Sequence, residues 1–148
     1  YQRSRGLGDV YKRQQYMKTD RLFLSFSILG IAIATLFGAF GAHSLKDLFS
    51  TYEMDIWNKG IFYQISNSLG LMILVALRKI ELIKKNDLPF YFLIIGIVFF
   101  SFSLYIISLT NVFLHPQHWL KTLMISVTPI GGSLIIIGWI LVFLRLKK

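Results

Sequence analysis

Four long stretches of the chain, residues 22–45, 60–77, 88–120 and 122–144, contain no Lys, Arg, Asp or Glu; every such residue lies between or beside them. About 20 apolar residues, each rising about 1.5 Å, cross a hydrocarbon core of roughly 30 Å, so each stretch is long enough to span a bilayer. The pattern predicts membrane helices over about 22–42, 61–77, 88–114 and 120–144. Its fold class is an all-α membrane protein, with four transmembrane helices in a single bundle.

Composition strengthens this picture. The chain has 148 residues, room for one domain, and is 55% apolar and 16% charged with a mean hydropathy of +0.60, values foreign to a soluble domain of this size. It has no cysteine, which excludes disulfides, thiolate metal sites and thiol-relay chemistry. A net charge of +9 would point to nucleic acid in a soluble protein. Here the basic residues flank apolar spans, so the expected partners are the lipid bilayer and anionic headgroups at its cytoplasmic face, with no nucleic acid.

Residues 1–16 are polar and basic and precede Met17. They form neither a signal peptide nor a span, and are expected to be a non-native or disordered leader, with the membrane domain covering 17–148. From Met17 onward, Lys18, Arg21, Arg78, Lys79, Lys84, Lys85, Arg145, Lys147 and Lys148 flank one side, against Lys46, Lys59 and Lys121 on the other. That nine-to-three bias predicts both termini in the cytoplasm. Tyr52, Trp57, Tyr63, Tyr91 and Trp119 fall near span ends, where interfacial anchors belong. The first outer connection, 44–59, has amphipathic spacing that fits either a helix lying along the outer interface or a solvated loop.

Helices in lipid associate through close backbone approach and hydrogen bonds. In the first helix Gly30, Ala34, Gly38 and Ala42 recur every four residues, with Gly41 beside them, which predicts a packing ridge and a central place for this helix. The second helix carries Gln64, Asn67 and Ser68 on one face. The third carries Ser101, Tyr105 and Ser108, with Ser103 and Thr110 pointing elsewhere. In the fourth, Thr128 and Pro129 precede Gly131 and Gly132, and Pro129 predicts a kink that frees the Ile125 carbonyl. Asn67 lies about 9 Å, and Tyr105 and Thr128 about 12 Å, below the outer ends of their helices. His43, Gln64, Asn67, Ser101, Tyr105 and Thr128 are therefore expected to form a polar layer in the outer half of the bundle. It serves either as interhelical hydrogen bonds or as the lining of a cavity.

Five motifs occur in order: GAFGAH (38–43), Trp57 with Gly60 and Tyr63-Gln64, FSFSLY (100–105), VTPIGG (127–132), and Gly138-Trp139. Together they resemble the YgdD-type family of small bacterial inner-membrane proteins, a domain-of-unknown-function group related to a eukaryotic small transmembrane protein family. The resemblance runs from about Arg21 to Arg145 and implies four membrane helices in the bacterial inner membrane, with no catalytic residues. Two positions depart from the family pattern. Asn67 stands where a histidine is usual, and Phe102 where a glycine is. Asparagine can hydrogen-bond but cannot titrate, which removes a two-imidazole mechanism with His43.

Other chemistry is weakly supported. His43, His115 and His118 share the outer side, but Pro116 breaks the helical spacing of the last two, so neither metal nor cofactor is expected. No carboxylate lies inside a span, as a proton-coupled exporter would require. His43 and Asp47 fit an interfacial cap better than an acid–base pair. The expected role is a non-enzymatic accessory or structural membrane component. The alternative is an oligomeric passive channel or transporter subunit for a small solute, built as a homo-oligomer around an outer polar cavity.

Overall fold

The structure, a computed structural model, describes residues 2–114 and 118–147. Four long helices run in chain order: α1 Gln2–Phe40, α2 Thr51–Lys79, α3 Leu88–Phe113 and α4 Trp119–Phe143, and a π-helical turn, Gly41–Leu45, extends α1. All four are long and apolar enough to cross a membrane, with the first span covering Gln14–Leu45. His115 and Pro116 lie outside the described residues.

The start of α2 departs most from the sequence reading. Residues 51–59 form neither an interfacial helix nor a loop; they are the first turns of α2 itself. Ser50 caps the helix by accepting from the Tyr52 N–H at 3.2 Å, and Glu53 reaches back to the Ser50 N–H at 3.1 Å. This reciprocal arrangement is a capping box, visible in the sequence as Ser50 followed three residues later by Glu53. At the other end, Glu81 has φ +62°. The Leu82 N–H bonds the Leu77 carbonyl and the Glu81 N–H bonds that of Arg78, the Schellman pattern, here with glutamate where glycine is usual. The α2–α3 turn then pairs with the chain's last residues: Lys84 donates to the Arg145 carbonyl at 3.1 Å and Lys147 to that of Leu82 at 3.0 Å.

Packing does not centre on α1. The most enclosed spans are α2 and α3. The tightest contact lies between α3 and α4, where side chains added at Gly96 and Gly131 would meet the backbone of the facing helix. The expected α1 ridge holds only in part: Gly30 meets Ser68 and Ala34 is fully buried, whereas Ala42 is exposed and Gly38 only half-buried. A four-residue step turns about 40° beyond a full circle, so three such steps carry the ridge about 120° off its face. The buried face instead follows steps of three and four through Phe23, Ser27, Gly30 and Ala34, and reaches Gly41 and Leu45 in the π turn. Gly41 packs against the Trp57 indole, where a side chain would lie 2.7 Å from Nε1, and that Nε1 donates to the Phe37 carbonyl at 3.0 Å. Trp57, expected as an interfacial anchor, is thus a core residue. The α4 helix runs through Pro129 without interruption.

Candidate functional site

The expected polar layer resolves into separate interhelical contacts. At its centre the Gln64 amide, on α2, donates from Nε2 to the Gly30 carbonyl of α1 at 2.9 Å and accepts at Oε1 from the Tyr105 hydroxyl of α3 at 2.8 Å. One buried side chain therefore links three helices. Gly60 makes room for it: a side chain there would strike the Tyr105 ring. That ring also packs against Phe37 and Trp57, each with centroids 4.8 Å away.

Asn67 belongs to a different contact. Its Nδ2 donates to the Tyr63 carbonyl one turn back, while its Oδ1 accepts from Trp139 Nε1 of α4 at 2.9 Å. Thr128 pairs with Ser103, 2.8 Å away, and not with Ser101. Ser103 does point away from the Tyr105 face, but α3 touches α2 on one side and α4 on another, so its hydroxyl meets a different helix. Ser101 Oγ is buried without a hydrogen-bond partner, as is Ser68 Oγ. His43 is exposed and joins none of these contacts. Of the predicted packing residues, Gly131 meets the α3 backbone and Gly132 only the Phe100 ring.

Two clusters at the ends of the bundle escaped the sequence reading. At the end holding the helix 1–2 and 3–4 connections, Glu53 accepts from Asn111 Nδ2 at 3.2 Å while its carbonyl accepts from Ser108 at 3.1 Å, tying the start of α2 to the end of α3. At the opposite end, Arg78 is only 2% exposed and lies between two carboxylates. Its Nε donates to Asp20 Oδ1 at 2.8 Å, its Nη2 donates to the same oxygen, and its Nη1 donates to Asp87. The guanidinium also faces the Phe90 ring at 4.2 Å and the Phe23 ring at 5.2 Å. Arginine suits this place because its planar fork can serve two carboxylates while stacking on aromatic faces. The contact joins α1, the end of α2 and the start of α3. In the sequence Arg78 is indistinguishable from the flanking cations Lys79 and Lys84.

Among the described residues no group of His, Asp and Glu is arranged to hold a metal ion. His118 Nδ1 instead accepts from the Leu120 N–H at 3.3 Å, capping α4. What these side chains do is join helices in pairs and triplets.

Residues 37–132 match a family described as "Protein of unknown function (DUF423)". The chain belongs to the DUF423 family. Among its relatives, a UPF0382 membrane protein of Staphylococcus epidermidis is 37% identical over 128 residues, covering 86% of this chain and 97% of the relative. The UPF0382 membrane protein SH2409 of Staphylococcus haemolyticus is 35% identical with the same coverage. The UPF0382 membrane protein YwdK of Bacillus subtilis is 30% identical over 129 residues, 86% of this chain and 98% of the relative. No solved structure matches significantly. The DUF423 region contains Gln64, Asn67, Arg78, Asp87, Ser103, Tyr105 and Thr128, and so the whole of the Gln64–Tyr105, Ser103–Thr128 and Arg78–Asp87 contacts, while Gly30, Trp139 and Asp20 lie outside it.

Proposed function

We propose that this DUF423 protein is a non-enzymatic structural or accessory component of the bacterial cytoplasmic membrane, with both termini inside. The observation that carries this reading is the Gln64 amide, whose nitrogen and oxygen are engaged by α1 and α3. A residue lining a solute path would keep its polar atoms available; here they are spent on neighbouring helices. Such bonds contribute about 0.6 kcal/mol each on average in membrane proteins, enough to fix how helices face one another.

The orientation rests on the excess of Lys and Arg beside the end that holds Arg78 and the α2–α3 turn. Lys79, Lys84, Lys85 and Lys147 cluster there, well placed to meet anionic headgroups of the inner leaflet. The motif likeness to YgdD-type proteins supports the same inner-membrane placement.

Solute flux into proteoliposomes tests this reading. Vesicles holding the purified protein are expected to take up small polar solutes and ions no faster than protein-free vesicles. Uptake raised severalfold for any one solute, and altered in Tyr105→Phe, would replace the structural role with the passive-channel one.

A further inference from the structure

The two flanks of α1 and α3 touch at two aromatic contacts. Phe23 stacks on Phe90 with centroids 4.8 Å apart and meets Tyr91 edge-on at 5.3 Å. Toward the other end, Phe37 meets Tyr105 edge-on at 4.8 Å and Phe102 at 6.3 Å. Phe23 and Phe37 are about 21 Å apart along α1 at 1.5 Å per residue, with Gly30 midway between them. Between these contacts lies a cavity of about 300 Å³. Leu29, Gly30 and Ile33 form one wall, Ile97 and Val98 the other, and Gln64 of α2 the floor.

We propose that this cavity is a binding site for the acyl chain of a membrane phospholipid. Its depth sets the environment: it lies at mid-height in spans that cross the hydrocarbon core, so what enters it comes from lipid and not from water. Its chemistry sets the ligand. Every wall residue is apolar or glycine, and the one polar group at the floor is already bonded to Gly30 and Tyr105, so the site rewards hydrocarbon and offers nothing to a headgroup. Its size excludes a helix of a second copy. One turn of a helix about 10 Å across occupies roughly 400 Å³, more than the cavity holds, whereas the end of a flexible methylene chain fits this window between α1 and α3. Gly30 lets α1 sit close on α2, the helix that floors the cavity: a side chain there would lie 2.5 Å from Ser68 Oγ. The inference goes beyond the structural role, since a bound chain requires no solute path.

Photo-crosslinking tests it. The full chain is reconstituted in vesicles of phosphatidylcholine and phosphatidylglycerol containing a phospholipid with a mid-chain diazirine, irradiated, and mapped by mass spectrometry. Labelling of Leu29, Ile33 and Val98 is expected to exceed severalfold that of Ile136 and Ile140, lipid-facing α4 residues that are 62% and 52% exposed. Val98→Phe, which fills the window, is expected to bring Leu29 and Ile33 down to the α4 level; Ile33→Phe does the same from the opposite wall should the first variant fold poorly. Equal labelling of all lipid-facing residues, or excess labelling that survives both fillings, would overturn the proposal.

Discussion

Replacing Arg78 with alanine is expected to destabilise the protein by about 3–5 kcal/mol, the range for removing one partner of a buried ion pair. The loss arises less from the missing attraction than from what remains. The Asp20 side chain is 11% exposed and that of Asp87 28%, and without the guanidinium both carboxylates lose the cation that offsets their burial. The faces of Phe23 and Phe90 also lose their cation. Arg78→Lys keeps the charge but loses the planar fork, so an intermediate loss is expected. The triple change Asp20→Asn, Arg78→Met, Asp87→Asn is expected to recover most of the stability, because it removes the stranded charges together with their partner. Thermal unfolding of the purified variants in detergent checks the order: wild type, then the triple variant, then Arg78→Lys, then Arg78→Ala.

A second large effect is expected at the α3–α4 contact. In Gly131→Ala the added carbon would lie 2.4 Å from the Phe100 nitrogen and 2.9 Å from its Cα. Those are backbone atoms inside a helix and cannot swing aside, so α4 must move off α3. The expected cost is about 2–3 kcal/mol, the upper part of the usual range for overpacking. The adjacent Gly132→Ala is the control. Its new carbon meets only the edge of the Phe100 ring, at 3.4 Å, and a change within about 0.5 kcal/mol is expected. The same unfolding assay separates the two. Equal losses at both positions would mean that glycine content, and not this backbone approach, sets stability.

The fold was legible because length and charge-free runs report spanning directly: α3 begins at Leu88 and α4 at Trp119, within one residue of the sequence reading. The start of α2 lies earlier than the charge-free run implies, because the Ser50–Glu53 box begins the helix at Thr51, among the charges between Lys46 and Lys59 and outside the apolar stretch. The central contacts were legible as residue types at one depth, but not as pairs. Which hydroxyl meets Thr128 depends on the rotation of α3, and helices exposed to lipid show too little hydrophobic asymmetry to reveal it. The Arg78 cluster was invisible for another reason. Asp20 and Arg78 are 58 residues apart, and a buried arginine at a span end reads like any flanking cation until the helices are assembled.

The central claim is that the chain crosses the membrane four times with the Arg78 end inside. Because the chain contains no cysteine, single introduced thiols report position cleanly. Asp47→Cys and Asn58→Cys, at the outer connection and the exposed start of α2, are expected to react with a membrane-impermeant maleimide in intact cells. Asn86→Cys, in the α2–α3 turn beside the Arg78 cluster, is expected to react only after the membrane is permeabilised. Labelling of Asn86→Cys in intact cells, with Asp47→Cys protected, would contradict the account.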